Sequence, residues 1–346
     1  MGVHTWGEIR RAVLTMGFMN LGNEPPIMLN AGGTSGEVHS STHYFPRYPL
    51  FSRISIETLS FCNRTCSFCP LAWSQDERGR NRMSDALYAS IVEQLGVLEF
   101  KGVAQMFLLS EPTIDTSIKS KLRALREACP KITTYISSNG DLFDKIDQTR
   151  GREFALAAIE ELYESGLTTL NLNVYDEGPA QAERFESLVN DVVEKLGARR
   201  TTHKYSKHRG RRIALTDMRV ETNESANVTN VLYIKNKEER VNIVAPSAYC
   251  ARTQRHIVVE WDGSVPICCA IDVTDKSLPQ MGNANTMPLL EIWNSEAMNR
   301  YRWFTQQARR VLPGCNTCTH KMAFPHVVRK VKPDEVLAAK WESELP

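Results

Sequence analysis

The chain has 346 residues, more than one average domain and fewer than three, and its 42% hydrophobic and 24% charged residues strike an ordinary globular balance. A net charge of +2 creates no field strong enough to name a partner. The longest apolar runs, such as Val103 to Leu109, fall far short of the roughly 20 residues of a membrane-spanning helix, and the N-terminal MGVHTWGEIRRAVLTMG lacks the basic start and apolar stretch of a secretory leader. The expected location is therefore the cytoplasm, with no membrane involved.

Residues 1–50 carry Gly22, Pro25, Pro26, Gly32, Gly33, Gly36, Pro46 and Pro49, too dense a punctuation for regular structure, so they read as an irregular arm. From Ser52 strand-like and helix-like segments alternate, the mark of βα units and a parallel sheet. Arg53 to Leu59 reads as a strand, Ser84 to Leu98 as a helix capped by Ser84, and Val103 to Leu109 as a strand. Thr116 to Cys129 reads as a helix stopped by Pro130, Ile132 to Ile136 as a strand, and Arg152 to Ser165 as a helix. Thr168 to Val174 is the fourth strand, Pro179 to Leu196 a helix with proline in its first turn, and Ile213 to Val220 the fifth strand. A sixth, poorly marked, falls near Val231 to Val244.

The pattern changes near residue 240. His256 to Glu260 and Ser264 to Ile267 flank Asp262-Gly263, a strong hairpin turn, and Pro288 to Gln307 reads as one amphipathic helix. The expected organisation is an arm over 1–50, a first domain over 51–240, a second over 241–330 and a tail over 331–346.

Nine cysteines in a reducing compartment point to metal or iron-sulfur ligation rather than disulfides. Cys62, Cys66 and Cys69 form C-x3-C-x2-C on one short loop after the first strand. A 4Fe-4S cluster normally takes four thiolates, so three leave one iron open to an external ligand. Zinc is the alternative, but its sites usually pair C-x2-C knuckles with a fourth Cys or His, and none stands close by.

The segment IETLSFCNRTCSFCP, with Phe68 before the third cysteine, resembles the radical S-adenosylmethionine superfamily. That resemblance implies a partial (β/α)6 TIM-like barrel in an α/β fold. It also implies that S-adenosylmethionine binds the open iron of a 4Fe-4S cluster held by Cys62, Cys66 and Cys69, and is cleaved on reduction to a 5'-deoxyadenosyl radical that abstracts hydrogen from an unactivated C–H bond. A flavodoxin- or ferredoxin-type protein would supply the electron.

Other segments at strand ends agree with the resemblance. Leu109-Ser110-Glu111-Pro112 is similar to the family's Gly-Gly-Glu-Pro, with Glu111 suited to the cofactor's ammonium group, although Leu109 and Ser110 replace the glycines. Ser137-Ser138-Asn139-Gly140 is similar to a segment near the ribose, making Ser138 and Asn139 candidates. Asn171 and Asn173 alternate onto one strand face, with Asn173 nearer the cofactor end. Glu221 to Asn227 is similar to an Asn-Arg-Ala-Gly segment, with Glu224 in place of the arginine.

Cys250, Cys268, Cys315 and Cys318 follow the pattern C-x17-C, a long gap, then C-x2-C, which with EIW and GCNTC resembles the SPASM module or its shorter form, twitch, a small domain built from a β-hairpin and helix. Four thiolates suit one auxiliary 4Fe-4S cluster, and a zinc ribbon is the alternative. Cys269 reads either as a thiol hydrogen-atom donor that quenches a substrate radical or as a buried apolar cysteine. Cys129 reads as core.

Residues 199–212, RRTTHKYSKHRGRR, contain seven Lys or Arg and no acid. Leading from a helix into a strand, the run is expected at the barrel end remote from the cofactor, where it could dock nucleic acid or another polyanion. The substrate classes left open are sugars, peptides and nucleosides, and the outcome is oxidation by a dehydrogenase or isomerisation and epimerisation. A nucleotide- or base-modifying isomerase and a non-catalytic iron-sulfur regulatory protein are the alternatives.

Overall fold

A computed structural model describes residues 50–66, 69, 71, 78–175, 179–204, 210–219, 250, 252–269 and 280–307. Four parallel strands form its centre: β1 (Arg53–Ile56), β2 (Val103–Gln105), β3 (Thr133–Ser138) and β4 (Thr169–Tyr175). Between them run α1 (Asp85–Val97), α2 (Ile118–Ala128), α3 (Asp141–Arg150) and α4 (Arg152–Glu164), with α5 (Pro179–Leu196) after β4. This is the α/β, partial-barrel architecture expected.

The strands divide their side chains by alternation. Ile54, Ile56, Ile136, Leu170, Leu172 and Val174 join one core with Leu87, Ile91, Leu122, Ile159 and Val189 from the helices. The opposite, inner face is polar, carrying Ser55, Gln105 and Asn171 beside a small separate cluster of Val103, Phe107 and Tyr135. Ser84 caps α1 by accepting the Leu87 amide, and Gly140, at φ 77°, starts α3. α3 was not foreseen, because its apolar content is confined to Leu142, Phe143 and Ile146 in an otherwise polar run.

Both sheet edges differ from the expected simple succession. The fifth strand is not a parallel continuation. β5 (Arg199–Lys204) and β6 (Gly210–Thr216) form an antiparallel pair, and β6 lies antiparallel to β4. Gly210 faces Tyr175 and Thr216 faces Thr169. Arg199 therefore stands level with Thr169 at the remote end and Lys204 level with Val174 at the C-terminal end of β4, so the described residues of the basic segment span the length of the sheet instead of lying at the remote end alone. β6 returns to the opposite end, where the Asp217 amide donates to Thr168 O at 3.0 Å.

The other edge is closed by β7 (His256–Val259), parallel to β1 over its whole length, so that this strand of the second segment completes the first sheet. The Asp262-Gly263 turn forms as expected: Glu260 N donates to Ser264 O and Gly263 N to Glu260 O, both at 2.9 Å. Yet β8 (Ser264–Pro266) pairs with β9 (Gln280–Asn283) rather than with β7, because β7, buried throughout, covers the open edge of β1. A four-residue helix, α6 (Arg252–Arg255), precedes β7. The single helix expected over Pro288–Gln307 is two, α7 (Leu289–Trp293) and α8 (Glu296–Gln307), broken where Ser295 Oγ accepts the Met298 amide. The arm, the sixth strand near 231–244 and the tail lie outside the described residues.

Candidate iron-sulfur and cofactor site

Beyond β1 the chain is clamped to residues 79–83 before it reaches the cysteines. Met83 N donates to Thr58 O, Ser60 N to Asn81 O, and Ser60 Oγ to Gly79 O. Cys62, Cys66 and Cys69 then lie partly exposed on one turn, with the Cys69 amide donating to Cys66 O at 2.9 Å. Burial pushes the Cys62 thiol up to about 11 and the Cys69 thiol up to about 12. Each of these two thiols lies within electrostatic reach of Cys66, so the three sulfurs form one group.

Among the described residues no three His, Cys, Asp or Glu side chains converge on a single ion position. A zinc ion would demand that convergence at about 2.3 Å per sulfur, whereas a cluster carries its own irons to more widely set thiolates. The donor set fits an iron-sulfur cluster held by three cysteines.

The loop is fastened to the end of β3. Arg64 makes a two-pronged ion pair with Asp141, and Asn63 donates to the same carboxylate at 3.0 Å. Asn139 Nδ2 donates to Asn63 Oδ1 at 2.8 Å and reaches Cys62 Sγ at 3.7 Å. Glu111, only 2% exposed, is held by both oxygens: Oε1 accepts Thr113 N and Oγ1, and Oε2 accepts the Asn139 amide at 2.7 Å. Burial raises its pKa while these bonds oppose the shift.

Ser138 Oγ accepts the Gly140 amide at 2.9 Å. Asn173 Nδ2 donates to Ser137 Oγ at 2.8 Å and to Ser138 O at 3.0 Å. Glu111, Ser138, Asn139 and Asn173 thus form one connected patch at the strand ends, beside Cys62.

Two residues that the sequence reading missed hold the segment in which Leu109 and Ser110 replace glycines. Glu57, fully buried, accepts the Leu109 amide at 3.0 Å, and Arg78 pairs with Glu57 while donating to Leu109 O at 3.4 Å. Both polar groups of Leu109 are satisfied, and its side chain packs with Leu71, Leu108, Val258 and Cys269. The only prior signal was an acid, Glu57, at a strand end.

Cys250 and Cys268 are buried within electrostatic reach of each other; Cys315 and Cys318 lie outside the described residues, as do Phe68 and residues 221–227. Cys268 joins the main core, whereas Cys269 joins the patch against which Cys62 and Cys69 pack. Cys129, buried behind α2, is core as expected. The Cys268 and Cys269 sulfurs also share a hydrogen bond, which holds the Cys269 thiol below its ordinary value; Arg252 and His256 act in the same direction. Arg252 Nη1 stands 2.6 Å from Cys269 Sγ, and His256 Nδ1 3.5 Å from it. From His256 Nε2 the network continues to Ser55 Oγ at 2.9 Å and Gln105 Oε1 at a further 3.1 Å.

Residues 56–205 match the family model of the Radical SAM superfamily, and residues 250–319 match that of SPASM, an iron-sulfur cluster-binding domain. The chain belongs to the radical S-adenosylmethionine superfamily and carries a SPASM-type domain. Its cofactors are S-adenosylmethionine, a 4Fe-4S cluster and an auxiliary iron-sulfur cluster.

Among particular proteins, it is 35% identical over 92 residues to the S-adenosyl-L-methionine-dependent 2-deoxy-scyllo-inosamine dehydrogenase of Niallia circulans. That match spans 27% of this chain and 36% of the relative's length. The fold is similar to the crystal structure of BtrN in complex with AdoMet and 2-DOIA, with a TM-score of 0.56 and 19% identity, covering 82% of this chain and 98% of that one. An open conformation of BtrN gives a TM-score of 0.50 at 21% identity, covering 79% and 94%.

Proposed function

We propose that this protein is a dehydrogenase that oxidises a secondary alcohol of a sugar- or cyclitol-type small molecule by radical chemistry. In the overall change a hydrogen atom leaves the carbinol carbon, and a proton and an electron leave the remaining radical to give a ketone. When bound, S-adenosylmethionine on the first cluster supplies the hydrogen-abstracting radical and the auxiliary cluster supplies a one-electron sink.

Cys62, Cys66 and Cys69 would hold the first cluster. Glu111, its carboxylate aimed by Thr113 and Asn139, would accept the cofactor's ammonium group, and Ser138, Asn139 and Asn173 would face its ribose. Cys250, Cys268, Cys315 and Cys318 would hold one auxiliary 4Fe-4S cluster. The observation that carries the reading is the patch of Leu108, Leu109, Val258 and Cys269, which touches Cys62 and Cys69 on one side and adjoins Cys268 on the other. A substrate lying against it would reach both cysteine groups. The relative in Niallia circulans is a dehydrogenase, and its reaction is an oxidation of this class.

A second reading follows from the position of Cys269 in that patch: an epimerase in which its thiol returns a hydrogen atom to the substrate radical. We take the chain to be organised as an arm over 1–50, a barrel over 51–240, an auxiliary module over 241–330 and a tail, with a flavodoxin- or ferredoxin-type reductant and a cytoplasmic location. No helix among the described residues is long and apolar enough to cross a membrane. Nucleoside or nucleic-acid substrates have the basic run 199–212 in their favour.

The test is anaerobic reconstitution with S-adenosylmethionine, dithionite and a panel of cyclitols, sugars and nucleosides, assaying 5'-deoxyadenosine and substrate-derived product. A ketone formed by wild type and by Cys269→Ala alike identifies the dehydrogenase. An epimerised product lost in Cys269→Ala, with 5'-deoxyadenosine retained, identifies the epimerase. Total absence of 5'-deoxyadenosine, even uncoupled, returns the protein to a non-catalytic iron-sulfur role.

A further inference from the structure

The alternation that puts Leu170 and Leu172 in the core turns Asn171 to the inner face of the sheet, where it is 1% exposed. Its neighbours across the ladder do not satisfy it. Ser137, level with it on β3, has its hydroxyl held by Asn173, and Ala214, level with it on β6, has no polar side chain. Neither amide atom of Asn171 finds a hydrogen-bond partner among the described residues. Leucine has nearly the same shape and would be buried here without the cost of an unpaired amide, so the fold itself does not call for asparagine.

A second amide opens on the same face. Gln105 is level, through Tyr135, with Thr169, which puts it one step deeper in the barrel than Asn171. It is 1% exposed, its Oε1 accepts Ser55 Oγ at 3.1 Å, and its Nε2 finds no partner among the described residues. Two residues beyond Asn171 in the other direction, Asn173 is tied to Ser137 and Ser138 of the cofactor patch. Asn171 and Gln105 therefore lie beneath that patch.

An amide carries a donor and an acceptor side by side. Two hydroxyls on adjoining carbons match it: one donates to Oδ1, and the oxygen of the other accepts from Nδ2. A lone hydroxyl, or a pair set further apart, meets only one of the two. We propose that Asn171 is a specificity-determining residue that binds a vicinal pair of substrate hydroxyls, with Gln105 Nε2 donating to a further hydroxyl deeper in the barrel. This deepens the reading of the substrate as a sugar- or cyclitol-type molecule and rests on it. Both amides are neutral, so they select hydroxyl geometry and not charge.

The test uses the reconstituted enzyme with S-adenosylmethionine and no reductant, titrated anaerobically by isothermal calorimetry with myo-inositol and with the trans-1,2 and trans-1,3 isomers of cyclohexanediol. Wild type should bind myo-inositol and prefer the 1,2 isomer. Asn171→Leu should weaken myo-inositol about tenfold, the scale of two net hydrogen bonds, and abolish the preference between isomers, with S-adenosylmethionine affinity unchanged. Its midpoint in denaturant unfolding should equal or exceed that of wild type, because an unpaired amide leaves the interior. A lowered midpoint places the partner of the amide within the chain, and a weakened S-adenosylmethionine affinity assigns the amide to the cofactor. Unchanged polyol affinity in the variant, equal affinity of wild type for the two isomers, or no binding of any probe removes the vicinal subsite. Each of these results overturns the proposal. Asn171→Ala is measured alongside, and failure of both variants to fold overturns it as well. Adding reductant separates this from the parent reading. Polyols bound through Asn171 but never oxidised would remove the dehydrogenase and leave the subsite, whereas a ketone formed equally by wild type and Asn171→Leu would keep the dehydrogenase and remove the subsite.

Discussion

Glu260, at the turn between β7 and β8, makes the stability of the site depend on pH. It is 7% exposed, and its Oε1 has no hydrogen-bond partner among the described residues. Burial first, then the facing Glu57 and the adjacent Asp262, raise its pKa from 4.5 to about 8, while Arg78 pulls the other way. In the unfolded chain the carboxyl ionises near its ordinary value. Below that value both states are protonated and nothing is lost; as pH rises towards the folded value, the unfolded state releases a proton that the folded state keeps, and stability falls. Each pH unit in this window is worth about 1.4 kcal/mol, so the chain should lose about 3 kcal/mol from this group between roughly pH 5 and pH 7.5.

Glu260→Gln keeps the shape and removes the titration. Denaturant unfolding of wild type and variant across this range, under anaerobic conditions, should give curves that diverge in favour of the variant as pH rises. The same change should reach cofactor binding, because an ionised Glu260 competes with Glu57 for Arg78, and Arg78 and Glu57 together hold Leu109. Parallel stability curves for the two proteins would refute the reasoning.

Two further substitutions test the cofactor patch. Glu111→Gln should weaken S-adenosylmethionine binding about tenfold to a hundredfold, the scale of a hydrogen bond to a charged group, with iron content unchanged when binding is measured by equilibrium dialysis. Gly140→Ala would place a methyl group 2.4 Å from Phe185 at a φ of 77°; it should cost about 1–3 kcal/mol in denaturant unfolding and lower iron retention by shifting the neighbouring Asn139.

The elements that were legible in the sequence carried their own local chemistry. Ser84 announces α1 by its side chain, Pro179 opens α5, and the cysteine spacings declare themselves without any fold. The antiparallel pair β5 and β6 was hidden because Arg199 to Lys204 offers no apolar alternation, so only Ile213 and Leu215 stood out and the direction of their strand was open. The clamp on Leu109 was invisible for another reason. Its partners are 52 residues apart from Glu57 to Leu109 and 21 from Glu57 to Arg78, contacts that only the closed sheet creates. Cofactor-binding motifs are local, but the residues that aim them are not.

The inner face of the sheet bears on what the protein can hold there. Among the described residues, Asn171, 1% exposed, finds no partner for either amide atom, and Gln105, equally buried, finds none for Nε2 although its Oε1 is engaged by Ser55. Burying amide groups unpaired costs about 1–3 kcal/mol each, which a folded chain sustains only where something polar meets them. On the same face lie Ser55, His256 and Arg53, in a network that ends at Cys269. An apolar substrate would leave the Asn171 amide and Gln105 Nε2 unsatisfied, whereas a polyhydroxylated ring offers donors and acceptors at several angles at once. Its hydroxyls would meet the amides of Gln105 and Asn171 while a carbinol carbon lay against the patch beside Cys62 and Cys69. The polarity of the barrel interior therefore favours a sugar or cyclitol over a lipid or an aliphatic side chain, on grounds independent of the relatives' names.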